Sequence, residues 1–130
     1  MKSLLTFAIC LAVATPTLCQ STSAPKDQQE KEHQLRTALE QIRDAIDHYH
    51  GMFVKGKIMA AVDSNGYPPD LQTLVNGMEA QGKTIHFLRK IPVDPMTGTT
   101  DWGLRMRGGV FDVYSKSQGK ALDSTDYKDW

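Results

Sequence analysis

The residues best suited to acid–base chemistry lie together in one stretch of the chain. Asp44, Asp47 and His48 are spaced so that they would share one surface of a helix. A hydrolase would also need a nucleophile on a glycine-rich turn or a helical metal-ligand motif, and the sequence has neither. We therefore interpret the three residues as a charged helix face and predict that the chain is not an enzyme.

The histidines do not have the spacing of a metal site. His48 and His50 are two positions apart, which places them on different faces of a helix. His33 and His86 are isolated in the sequence. We therefore predict surface or boundary histidines rather than metal ligands.

A long amphipathic helix is the element that the sequence predicts most clearly. Apolar residues recur every three or four positions from Leu35 to Phe53, as on one face of an α-helix. We predict a helix from about Gln28 to Phe53. Its apolar stripe consists of Leu35, Ala38, Leu39, Ile42, Ala45, Ile46, Tyr49 and Phe53. The opposite, charged face is predicted to carry Glu40, Arg43, Asp44 and Asp47.

The remainder of the chain predicts one short helix and a small sheet. Asp70 has the position of an N-cap before a short apolar helix that ends near Gly77. Turn residues fill 92–98 and precede two candidate strands, 102–106 and 110–115. The predicted fold class is α+β: a long N-terminal α-helix packed on an antiparallel β-sheet of two to three strands, with a short second helix.

The strand residues carry two finer predictions. Phe111 and Val113 are expected on one face of the sheet, with Asp112 and Tyr114 on the other. A further short strand is expected within 121–130. The segment 105–107 (Arg-Met-Arg) precedes a glycine pair, where it could face a partner.

The first residues follow the three-part pattern of an export signal. Lys2 is followed by an apolar run from Leu4 to Ala14, which Thr15 and Pro16 end. As a helix this run would span roughly 16 Å, about half of a bilayer's hydrocarbon core. The segment is compatible with three outcomes: cleavage to a soluble form, acylation of Cys19, or retention as a short anchor.

These features divide the chain into three parts. Residues 1–19 are predicted as a signal peptide or short N-terminal anchor, 20–33 as a polar tether, and 34–130 as one domain. Cys10 and Cys19 both fall in the first part, so the domain has no thiol for a disulfide or a zinc site. Lys plus Arg equals Asp plus Glu at 15 each, so charge gives no reason to expect nucleic acid as a partner.

Four segments of the chain resemble, in order, one known family. They are LRTALEQIRDAIDHYH, GYPPDLQTLV, IPVDPMTG and VFDVYSKSQGKALD. They are similar to the exposed half of the spine helix, the Tyr-Pro turn, the Pro-x-Asp-Pro turn and the last strand and loop of the type II secretion system major pseudopilins (general secretion protein G-like). The likeness covers about residues 34–130.

The resemblance implies a pilin-like fold and a non-enzymatic component of type II protein secretion that acts by subunit docking. Its partners would be other pseudopilins or secretion-machine subunits. It implies an exported protein of the bacterial cell envelope, periplasmic, with membrane contact only if the N-terminus is retained or lipidated.

The N-terminus departs from the family. Family precursors have a leader ending in Gly, then Phe-Thr-Leu-Ile-Glu and a long apolar run, and this sequence has none of these. The chain is then either a soluble relative or a pseudopilin body joined to an unrelated leader. The alternative function is a soluble periplasmic binding module that reuses the pilin fold outside a filament.

The resemblance also implies a cofactor, because major pseudopilins bind calcium in the loop after the last long strand. The corresponding loop offers Ser117, Asp123, Ser124 and Asp126. Oxygen ligands on a flexible loop suit Ca²⁺. Asp123 and Asp126 are the predicted calcium ligands, against the simpler interpretation of a solvated acidic loop.

Overall fold

The computed structural model describes residues 23–130, with side chains from residue 26 onward. The predicted signal peptide and both cysteines lie outside the described residues. Helix α1 spans Ser23–Val54 and helix α2 spans Leu71–Asn76. None of the described helices is both long and apolar enough to cross a bilayer.

The start of α1 differs from the prediction. The helix begins at Ser23, five residues before Gln28, so residues 23–33 of the predicted polar tether are helical. Gln28 and Glu32 explain the extension, since both hydrogen-bond to the C-terminal part of the chain. This segment is polar because most of its surface faces water, and it is helical because one side is held by these contacts.

The predicted apolar stripe of α1 forms the centre of the core. Its members from Leu35 to Tyr49 are all buried, and Leu35, Ile42 and Ile46 are 0% exposed. Burial of each such large side chain contributes about 1.5–3 kcal/mol. The last predicted member, Phe53, is half-exposed, and Met52 is buried in its place.

Helix α2 and a small hairpin follow. Asp70 caps α2 as predicted, because its Oδ1 accepts a hydrogen bond of 2.8 Å from the Thr73 backbone N–H. Strands β1 (Met78–Ala80) and β2 (Lys83–Ile85) then pair antiparallel around Gln81 and Gly82, which both have positive φ. This hairpin is not predicted from the sequence, because its three-residue strands are too short to show an alternation of apolar and polar residues.

The second sheet contains both strands that the sequence predicted. Strand β3 spans Gly103–Arg107 and β4 spans Gly109–Tyr114, and the two pair antiparallel. Arg105 lies opposite Asp112 but Met106 lies opposite Val110, so the register shifts at Phe111. Such a bulge changes the face on which side chains lie.

The bulge corrects the predicted alternation. Val110 and Val113 are both 0% exposed although they are three positions apart, and Phe111 is only partly buried. Phe111 therefore does not share the core face with Val113. The last strand expected within 121–130 is a single bridge between Lys120 and Asp126, followed by a 3₁₀ turn at Tyr127–Asp129.

The glycine pair lets β4 approach the turn before α2. The Val110 N–H donates to the Pro68 carbonyl at 2.7 Å. A Cβ on Gly109 would lie 2.5 Å from the Tyr67 carbonyl oxygen, and Gly108 has φ of +79°. Any larger residue at these two positions would push β4 away from its neighbour.

The predicted α+β class is confirmed, with a long helix packed on β4 and a short second helix. The sheet prediction needs correction, because the described residues form two separate two-stranded sheets, β1–β2 and β3–β4, rather than one sheet of two to three strands.

Candidate docking surface

Two arginines hold one carboxylate where α1 crosses β4. Arg43 Nε lies 2.8 Å from Asp112 Oδ1, and Arg105 Nη1 lies 2.9 Å from Asp112 Oδ2. Arg43 also donates to the backbone oxygen of Val113 and, at 2.6 Å, to that of Trp130. One side chain of α1 thus holds the sheet and the end of the C-terminal segment, residues 115–130.

These contacts set the ionisation of Asp112. Partial burial raises the pKa of its carboxyl, but hydrogen bonds from Arg43, the Val113 N–H and Arg105 outweigh burial and lower the pKa below its ordinary value. Asp112 therefore stabilises the fold at pH values above about 4, the ordinary pKa of an unfolded aspartate. The stabilisation is lost as the pH falls through the lower pKa of the folded state.

We expect a corresponding pH dependence of stability. The free energy of unfolding should fall on acidification below about pH 4, and Asp112→Asn should weaken this dependence. Urea titrations at a series of acidic pH values measure both curves. Parallel curves for the two proteins would contradict this assignment.

The N-terminal part of α1 holds the C-terminal segment at a second point. Glu32 Oε1 accepts hydrogen bonds from Tyr127 Oη at 2.9 Å and from the Leu122 N–H at 2.7 Å. Gln28 donates to the same tyrosine oxygen and to the Lys120 carbonyl. Tyr127 is buried, and burial raises the pKa of its hydroxyl. The C-terminal segment is therefore held to α1 at Lys120, Leu122 and Tyr127.

A buried carboxylate fixes the turn that precedes β3. Asp94 is 0% exposed, its Oδ1 accepts from the Met96 N–H at 2.8 Å, and its Oδ2 accepts from the Ser115 hydroxyl. Its own backbone N–H donates to the Thr99 carbonyl. This carboxylate joins the Pro-x-Asp-Pro turn to the residue that follows β4, so its role in this structure is to position the sheet.

The predicted calcium ligands lie on the same loop but have other partners. Asp126 Oδ1 lies 2.9 Å from Lys120 Nζ, and Asp123 Oδ1 accepts from the Thr125 hydroxyl and from its N–H. The Thr125 hydroxyl lowers the pKa of Asp123, and the hydrogen bond from Lys120 lowers that of Asp126. Within the described residues, no three acidic or histidine side chains come together as a cation site.

Calcium binding by Asp123 and Asp126 stays a prediction, and the ion would have to displace the exposed Lys120 ammonium group from Asp126. Melting temperatures in millimolar calcium and in chelator test this prediction. Calcium should raise the melting temperature, and Asp123→Asn and Asp126→Asn should abolish the rise. Equal melting temperatures in the two conditions would contradict the prediction and favour the solvated acidic loop.

The two histidines and two aspartates singled out in the sequence, His48, His50, Asp44 and Asp47, all lie on α1. His50 Nδ1 is 3.1 Å from the Gly66 carbonyl oxygen and its ring stacks on Tyr67, while the His48 ring contacts Phe87 edge-on. Asp44 and Asp47 are exposed. The structure thus places these histidines against neighbouring rings and the two aspartates in solvent.

An open groove of about 750 Å³ lies between α1 and the segment 87–93. Its apolar wall is formed by Phe87, Leu88, Pro92 and Val93, and Asp44, Arg89 and Lys90 line it with charge. The groove is open to solvent, and the His48 ring also lines it.

The outer face of α1 is exposed to solvent. It consists of exposed residues at alternating spacings of three and four: Glu30, His33, Thr37, Glu40, Asp44 and Asp47. Among the described residues, its four carboxylates form no ion pair. Sequence periodicity predicted Glu40, Asp44 and Asp47 on this charged side. It also predicted Arg43 there, but Arg43 is partly buried and pairs with Asp112.

Comparison of the chain with protein-family models, with curated proteins and with solved structures gave no match.

Proposed function

We propose that the protein is a non-enzymatic, pseudopilin-like component of type II protein secretion, located in the bacterial cell envelope and acting by subunit docking. The proposal joins the four resembling segments to one structural observation. Helix α1 buries a single stripe from Leu35 to Met52 and leaves the outer face, Glu30 to Asp47, exposed.

The dimensions and rigidity of α1 suit docking. A helix of 32 residues is about 48 Å long. The sheet is held to it through Arg43, and the C-terminal segment through Glu32 and Gln28. A neighbour that binds the outer face would therefore meet a preorganised surface and would spend little binding energy on ordering it.

Gene deletion and complementation test the proposal. Deletion should retain type II substrates inside the cell, and the wild-type gene should restore their release into the medium. A Glu40→Lys, Asp47→Lys double variant should fail to restore it, because it reverses charge on the outer face without changing a residue of the groove. The matched control is Glu79→Lys, an exposed acid on β1, which should restore release. Normal secretion in the deletion strain would refute the proposal.

The groove between α1 and 87–93 favours a second candidate, a soluble periplasmic binding module. Its apolar wall and mixed charges are typical of sites that hold a small ligand or a peptide. On that hypothesis the deletion leaves secretion intact. Substitution of Phe87 would then abolish ligand binding while the outer-face variants retain it.

A further inference from the structure

Strand β3 has one unpaired edge. It hydrogen-bonds to β4 on one side, and among the described residues no other backbone segment hydrogen-bonds to its second side. From outside the sheet, the Asn65 side-chain amide donates to the Arg107 carbonyl, and the Arg105 side chain donates to the Lys128 carbonyl. An open edge of this kind can accept another extended chain.

The core-side face of this edge is apolar and uncovered. The register places Leu104 opposite Val113 and Met106 opposite Val110, so these pairs share one face of the sheet. Both valines are 0% exposed, whereas Leu104 is 39% and Met106 55% exposed. Helix α1 packs on β4, and the two β3 side chains extend the apolar face into solvent.

The alternate positions of β3 are cationic. Arg105 and Arg107 lie over the rings of Tyr114 and Phe111 at 5.1 and 4.7 Å. Arg105 is paired with Asp112, whereas Arg107 is exposed and forms no ion pair among the described residues. Natural edge strands are protected by proline, lysine or an inward charge. In β3 there is no proline, and the arginines lie against their own sheet.

We infer that the outer edge of β3 binds an extended strand of a partner protein in which apolar and acidic residues alternate. The apolar residues pack beside Leu104 and Met106, and an acidic residue pairs with Arg107. A second copy of this chain is a poorer occupant, because pairing β3 with β3 would bring arginines together. The inference concerns a surface other than the outer face of α1 and does not rest on the proposed function.

Charge reversal at Arg107 tests the inference. The probe is a fluorescent, end-capped peptide of alternating valine and glutamate, titrated with the full chain and followed by anisotropy. Arg107→Glu should weaken its binding about tenfold or more, since a like charge then faces the acid. A second peptide, in which lysine replaces each glutamate, should bind this variant better than it binds the wild type. Lys55→Glu, at an exposed cation far along the chain from β3 and outside the groove, is the control and should leave both affinities unchanged.

Amide hydrogen exchange locates the binding. The glutamate peptide should slow exchange within 103–107 and leave exchange in α2 unchanged. Absence of binding, equal binding by wild type and Arg107→Glu, or protection elsewhere than β3 would each overturn the inference. Circular dichroism of each variant separates a failure to bind from a failure to fold.

Discussion

Replacing Asp94 by alanine is expected to lower the free energy of unfolding by about 3 kcal/mol. The substitution removes the acceptor of the Met96 N–H and of the Ser115 hydroxyl in a site that is 0% exposed. Each buried donor left without a partner costs about 1–3 kcal/mol. The turn before β3 and the residue after β4 would lose their connection, so the sheet should loosen with them.

Urea unfolding of Asp94→Ala and wild type measures this loss. Asp94→Asn should lose less, because its amide retains an acceptor for the Met96 N–H. Asp101→Ala is the matched control from the same segment. Its carboxylate is exposed and pairs only with the exposed Lys116, so its loss should be at most about 1 kcal/mol. Equal unfolding midpoints for Asp94→Ala and Asp101→Ala would contradict the role assigned to Asp94.

Truncation in the α1 stripe is the second large effect. Ile42 is 0% exposed at the middle of the packed helix, and Ile42→Ala should lower the free energy of unfolding by about 2–5 kcal/mol through lost burial and the cavity left behind. In a domain of this size, each kcal/mol should lower the melting temperature by about 4–8 °C.

A conservative series separates packing from helix propensity at this position. Ile42→Val should cost about 0.5–1.5 kcal/mol. Gln41→Ala changes the neighbouring exposed residue to a better helix former and should alter stability by less than about 0.5 kcal/mol. If Ile42→Ala had the same melting temperature as Gln41→Ala, the packing of α1 described here would be incorrect.

The features predicted correctly are those that depend on residues close together in the sequence. The stripe from Leu35 to Tyr49 follows from helical spacing alone, because burial of one face is what makes that helix stable. Asp70 was predicted as an N-cap because a cap acts within three residues of itself. The charged outer face of α1, including Glu40 and Asp44, follows from the same periodicity.

Contacts between distant residues were not predictable in this way. Asp94 and Ser115 are 21 positions apart, and the ion pair of Arg43 with Asp112 spans 69. Residue types alone do not specify such pairings. Glu32 belongs here too, since its contacts with the C-terminal segment explain why the predicted tether is helical.

The bulge in β4 shows another limit. Strict alternation assigned Phe111 to the core face with Val113, but one extra residue in the strand moved Val110 there instead. A bulge is a property of two paired strands, so the pattern of one strand cannot reveal it. The pairing of Lys120 with Asp126 in the C-terminal loop was likewise not predicted from the sequence.

Site-specific photo-crosslinking in cells tests most directly whether the outer face of α1 is a docking surface. A photoreactive residue is placed at Thr37, in the middle of that face, and in a matched strain at Glu79 on β1; both positions are exposed. The account predicts that Thr37 crosslinks to a pilin-type secretion subunit in the envelope and that Glu79 does not. No crosslink from Thr37, or equal products from both positions, would contradict it.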